Sequence, residues 1–182
     1  MSKNSGILKR LLTNRSHKIG AEVGVFEGAT SKKLLEAFPD LEELICVDIW
    51  EPDEEFMLHT PYKIGHVYNA NWNKVRSRFV DQVMKPYGRR VVPLQMMSIH
   101  AAELFRDGLF DFIFVDANHG YPFVREDIEN WWPKLKIGGL MCGDDYIEKP
   151  TYGVIQAVDE LFPRSKVRSS IWYVNKVTME LL

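Results

Sequence analysis

Short, unbroken apolar runs alternate along this chain with longer stretches in which apolar residues recur at helical spacing. The runs are 19–26 (IGAEVGVF), 43–50 (ELICVDIW), 89–95 (RRVVPLQ), 110–116 (FDFIFVD), 137–146 (IGGLMCGDDY) and 169–177 (SSIWYVNKV). Runs of this length, rich in Val, Ile and Phe, predict strands, most of them buried on both faces. Helices are predicted between them, over 30–38, about 72–85, 98–108, 121–135 and 153–162. Ile7, Leu8, Leu11 and Leu12 give residues 1–18 an amphipathic helix. Thr30 or Ser31 is placed to cap the helix that Pro39 closes, and Pro122 falls in a first helical turn, where its missing N–H is harmless. Such alternation predicts a doubly wound α/β fold with a mostly parallel sheet. The last run mixes polar and apolar positions and is expected as an antiparallel edge strand.

The segment 51–71 lacks this periodicity and carries Pro52, Pro61, Gly65 and several aromatic residues. Loops of that length tend to be lids or binding loops. It starts at the second strand, so it is expected to fold over a substrate. With no linker or repeat, residues 1–182 are expected to form a single domain. A formal net charge of −2 removes the electrostatic case for a nucleic-acid or membrane partner. No apolar stretch reaches leader or membrane-spanning length, and both cysteines, Cys46 and Cys142, sit inside apolar runs. These features predict a cytoplasmic protein with core thiols in a reducing compartment.

The first strand–turn–helix, AEVGVFEGATS, spaces Gly24 and Gly28 as G-x-x-x-G. A dinucleotide-binding turn needs G-x-G-x-x-G so that backbone can approach a pyrophosphate. Phe26 stands where the second glycine would be, and Glu22 and Glu27 flank the turn. That disfavours a nicotinamide oxidoreductase and suits a ligand with an amine and one carboxylate. Asp48 ends the second strand, where a carboxylate can hold ribose hydroxyls, so a nucleoside cofactor is expected.

Asp116 ends the fourth strand, and Asp144 and Asp145 end the fifth. If those strands are neighbours, about 4.8 Å apart, three carboxylates converge. They would raise one another's pKa, and a hard cation such as Mg²⁺ would relieve the repulsion. His119, three residues past Asp116, titrates in the range of a general base. The plainer alternative is that Asp144–Asp145 cap a loop and Asp116 anchors a turn.

These stretches, with VREDIENWWPKLKIGGLMCGDDY, resemble class I S-adenosylmethionine-dependent methyltransferases over roughly residues 19 to 162. The resemblance is to the macrocin O-methyltransferase-like small-molecule branch, of the methyltransferase domain 24 type. It implies a seven-stranded Rossmann-like sheet and methyl transfer to a hydroxyl of a small molecule. It implies that Glu22, Gly24 and Gly28 shape the methionine pocket, with Val25 and Phe26 in the same turn and Thr30 or Ser31 near the methionine carboxylate. Asp48 would hold the ribose, Ile49 would pack on the adenine, and Met97 and Ser98 would border its other edge. Members often carry an acid just before that serine, where this chain has Met97. Metal-dependent members place ligands at the positions of Asp116, Asp144 and Asp145. Some sugar O-methyltransferases have a second aspartate, proposed as base, where this chain has Asn118, which moves the catalytic expectation onto His119 beside Asp116.

Trp131, Trp132 and Phe123 fall at helical spacing and read as core or as a homodimer face rather than a substrate platform. A metal-independent methyltransferase of RNA or protein is the alternative that net charge disfavours. A non-catalytic binding module would not be expected to keep Gly24, Gly28, Asp48 and Asp116 together.

Overall fold

The computed structural model describes residues 3–13, 17–50 and 70–177. The elements run α1 (Lys3–Leu12), β1 (Ile19–Val23), α2 (Ala29–Ala37), β2 (Glu43–Asp48), α3 (Trp72–Phe79), α4 (Lys85–Tyr87), β3 (Val91–Gln95) and α5 (Ser98–Glu103). Then follow β4 (Phe110–Val115), α6 (Tyr121–Trp131), β5 (Leu135–Gly143), α7 (Val154–Leu161), β6 (Lys166–Arg168) and β7 (Ile171–Asn175). A π-helical turn, Val80–Met84, joins α3 to α4. Of the expected lid over 51–71, all but Ala70 and Asn71 lie outside the described residues.

The strands form one sheet in the order β3-β2-β1-β4-β5-β7-β6. The first five are parallel, and β7 runs antiparallel to both β5 and β6. Strand order reverses between β1 and β4, the place where α/β sheets open a crevice at their carboxyl ends. The apolar runs of β1, β2, β4 and β5 are continuous because these central strands face a helical layer on both sides. Ile45, Val47, Ile113, Val115 and Met141 pack into one core with Val124, Ile128 and Trp131 of α6 and Val158 of α7. Leu44, Cys46, Phe112, Phe114, Leu140 and Cys142 pack into the other with Leu34 and Leu35 of α2 and Phe79 of α3. Side chains alternate across a strand, so a strand covered twice needs apolar residues at every position.

Three expectations are revised. The final run is antiparallel but not at the edge: β6, with every residue exposed, takes the edge and covers β7. The helix over 98–108 stops at Glu103. Neither Thr30 nor Ser31 caps α2. Gly28 occupies the N-cap at φ 81 and has no side chain to cap with, while the Ser31 hydroxyl, inside the helix, turns into the core. Among the described residues, no helix is long and apolar enough to cross a membrane.

Candidate active site

The β1 turn is clamped between its neighbours. Gly24 N donates to Val47 O (2.9 Å), and Asp116 N donates to Val23 O (2.7 Å). Gly24 has φ 87, and a Cβ there would lie 2.2 Å from the Asp116 carbonyl oxygen. Only glycine tolerates both demands.

Two residues later Phe26 also adopts a positive φ, 53°, which costs a non-glycine residue about 1–3 kcal/mol and needs the surroundings to impose it. Asp48 does so. Its Oδ2 accepts from Val25 N (2.9 Å) and Phe26 N (2.8 Å), and its Oδ1 accepts from Trp50 N (2.9 Å). Trp50, itself at φ 43, donates from Nε1 to Phe26 O (2.8 Å) and stacks on Phe79 with ring centroids 4.6 Å apart. Asp48 is therefore at the crevice, but backbone occupies three of its roughly four lone-pair positions, leaving about one for a ribose hydroxyl. The Val25 side chain is buried in the core, so only its main chain borders the crevice. Gly28 has a packing reason: a Cβ there would lie 2.6 Å from Val83 and 2.7 Å from Phe79. The close approach at Gly28 is thus to the helix that α3 begins.

Glu22 is buried within β1 and accepts a hydrogen bond from the Ser31 hydroxyl. Burial pushes its carboxyl up to about 8, against the opposing pull of Ser31. Asp116 is also held well above the ordinary carboxylate range, by burial first and then by repulsion from Asp144, Asp145 and Glu22. A carboxyl of raised pKa binds more protons folded than unfolded, so its contribution to stability falls as pH rises between the two values. Asp127, pushed up to about 7 by burial, has the same sign. The melting temperature of the ligand-free protein is therefore expected to fall between about pH 5 and pH 8. Glu22→Gln should flatten that slope by about 5 °C over the interval, leaving the share due to Asp116 and Asp127. Scanning calorimetry across pH checks this, and an unchanged slope would remove Glu22 as a titrating group.

Beyond β4 and β5 the expected residues converge, in a set that differs by one member. Side-chain donor atoms of Asp116, His119 and Asp145 all lie within 4.8 Å of one another. His119 Nε2 is 3.1 Å from Asp145 Oδ2, and Asp145 takes a left-handed φ of 59. Asp144 lies alongside but is engaged elsewhere. Its Oδ1 accepts from the Ser170 hydroxyl (2.6 Å) and from Asp145 N (2.7 Å). Asn118 Oδ1 accepts from Gly120 N (2.9 Å), closing the turn that carries His119.

Tyr152, Lys149 and Asp127 were not singled out in the sequence. The Tyr152 ring lies 4.6 Å from the His119 ring, and Gly153 N donates to His119 O (2.8 Å). Lys149 Nζ sits 4.2 Å from the Tyr152 ring centroid and 3.9 Å from Asp145 Oδ1. The segment after β5 thus braces the imidazole from two sides. At the opposite end of the crevice, Met96 N donates to Asp48 O (3.1 Å), fastening the β3 tip to the β2 tip. Ile49, Met97 and Ser98 are half-buried there. The Ser98 hydroxyl donates to Asp127, a buried carboxyl on α6. Asp127 did leave a signal: it falls on the helix stripe otherwise formed by Val124, Ile128 and Trp131.

A doubly wound sheet with acids at the tips of its central strands is compatible with a methyltransferase. The sequence agrees: residues 21–146 match the family described as "Methyltransferase domain", and the chain belongs to it. No curated protein matches the chain by sequence. Among solved structures, the O-methyltransferase NovP superimposes with TM-score 0.66 at 16% identity, over 97% of this chain and 80% of its own. A Staphylococcus aureus protein assigned as a caffeoyl-CoA O-methyltransferase gives TM-score 0.63 at 15% identity, over 93% and 81%. Spermidine synthase from Thermotoga maritima gives 0.60 at 14%, over 98% and 61%. At these identities the likeness is one of fold.

Proposed function

We propose that this protein transfers a methyl group from S-adenosylmethionine to a hydroxyl of a small molecule, with a divalent cation at the Asp116–His119–Asp145 cluster. One observation carries the reading. Four adjacent strands, β2, β1, β4 and β5, bring Asp48, Glu22, Asp116 and the pair Asp144–Asp145 to one edge of the sheet. Burial first, and then repulsion from Asp144, Asp145 and Glu22, raises the pKa of Asp116, so the crevice favours positively charged ligands. S-Adenosylmethionine supplies an electrophilic methyl on a sulfonium and also carries an ammonium, so its charge suits the row.

Spermidine synthases share the fold, so the acceptor atom is argued from the chain's own residues. His119 is the titratable group that faces the carboxylates from the loop after β4. Two carboxylates and an imidazole fit a divalent cation of the Mn²⁺ or Zn²⁺ type better than Mg²⁺, which prefers oxygen throughout. Such an ion lowers the pKa of a hydroxyl beside it. Asp116 and Asp145 would hold it, and the 144–153 segment would keep His119 aimed at the same point.

The 3.1 Å contact between His119 and Asp145 also favours a second reading, in which Asp145 orients His119 as general base with no cation. Net charge continues to disfavour RNA, and two buried free thiols suit a reducing compartment.

Calorimetric titration with S-adenosylhomocysteine should give saturable binding. Labelled methyl should then pass to at least one member of a panel of phenols, sugars and polyketide alcohols. Chelation should stop transfer under the first reading and spare it under the second. No binding of S-adenosylhomocysteine at high micromolar concentration would overturn both.

A further inference from the structure

A carboxyl in a buried helical stripe is an expensive way to fill space, because an unpaired acid there costs far more than a Val or Leu. Asp127 occupies such a place on α6, four per cent exposed, and among the described residues its hydrogen-bond partner is the hydroxyl of Ser98. Ser98 is the first residue of α5 and lies just past the tip of β3. That tip is fastened to the backbone of Asp48 through Met96, so Ser98 borders the crevice that Asp48 opens. A nucleoside whose ribose sat at Asp48 would have this segment within reach of its base.

The chemistry of the pair then has a consequence. A serine hydroxyl has one proton to give and lone pairs with which to accept. A carboxylate can only accept, so Asp127 takes the Ser98 proton and leaves the Ser98 oxygen with only lone pairs to offer a ligand. We infer that Asp127 is a specificity-determining positioning residue: by fixing the polarity of Ser98 it selects a purine with an amino group at position 6 over one with a carbonyl. This rests on the nucleoside reading of the site and adds to it a residue that never touches the ligand. Burial lifts Asp127 to about 7, with a smaller push from Glu126, so the device is fully set only in more alkaline solution.

The test compares S-adenosylhomocysteine with its 6-oxo counterpart, S-inosylhomocysteine, by calorimetry at about pH 8.5, above the Asp127 value. The wild-type protein should prefer the 6-amino ligand by about 30-fold, the cost of facing two acceptors at each other in a desolvated site. Asp127→Leu frees the Ser98 proton to turn toward the ligand, and the preference should shrink to about threefold or less. Asp127→Asn can still receive that proton on its amide oxygen and should keep most of the preference. Ser98→Ala removes the acceptor, should also lose the preference, and decides the matter if Asp127→Leu does not fold. Equal weakening of both ligands in Asp127→Leu, or a retained preference in Ser98→Ala, would reduce the pair to a structural latch and overturn the inference. A wild-type protein that binds S-adenosylhomocysteine without discriminating sinks this inference alone; one that binds neither ligand sinks the nucleoside reading itself.

Discussion

Lys176→Ala is expected to destabilise the fold by about 3 kcal/mol, lowering the melting temperature by about 10 °C. Lys176 follows β7, is fully buried, and sends its ammonium into the end of α6. Nζ donates to the carbonyls of Trp132 (2.7 Å), Leu135 (2.9 Å) and Pro133 (3.3 Å) and lies 5.3 Å from the Trp132 ring centroid. Burial depresses its pKa, so the ammonium is only partly compensated for its lost water. Three carbonyls and an aromatic face nevertheless hold it at the unsatisfied end of a helix, where cations are favoured. Alanine would leave a void and strip those carbonyls of a charged donor. Trp132 O and Pro133 O keep backbone donors, Leu135 N (3.2 Å) and Gly108 N (3.0 Å), which bounds the loss. Lys176→Met should recover only the part due to the void. Lys166→Ala on exposed β6 should cost less than about 0.5 kcal/mol. Equal melting temperatures for Lys176→Ala and Lys166→Ala would show that the ammonium contributes nothing net.

The way Lys176 works also explains what could and could not be read from the sequence. Strands β1, β2, β4 and β5 were legible because being covered on both faces leaves a local signature, and Gly24, Asp48, Asp116 and Asp145 follow or end them at one edge of the sheet. The signature fails where a residue's role depends on a distant partner. Gly28 read as a pocket residue, but Phe79 and Val83, some fifty residues away, explain why it lacks a side chain. Ser31 read as a helix cap until Glu22, on the adjoining strand, claimed its hydroxyl. Strand β6 is three exposed residues, Lys-Val-Arg, without any burial pattern, and it forms only because β7 offers an edge. Asp127 was visible as a polar residue on an apolar stripe, a mismatch that sequence patterning flags without naming the partner.

The same distinction separates the two readings of the cluster, and substitution of its three members and of neighbouring Asp144 should divide them. Calorimetry with Mn²⁺ is expected to show binding by the wild-type protein and a loss of at least about tenfold in each of Asp116→Asn, His119→Ala and Asp145→Asn. Asp144→Asn should stay within about threefold, because its Oδ1 serves Ser170 and the Asp145 backbone and asparagine keeps that oxygen. Methyl transfer should fall with cation affinity in the first three variants. An Asp144→Asn loss as deep as that of Asp145→Asn would mean that the cation draws Asp144 away from Ser170, restoring the three-carboxylate arrangement expected from sequence. His119→Ala is the sharper divider. If it keeps full cation affinity yet loses transfer by about 10²–10⁴-fold, the imidazole acts as the base and Asp145 as its orienting partner. If it loses both together, the imidazole is a ligand, and the acceptor's proton must leave by another route past the carboxylates that crowd Asp116.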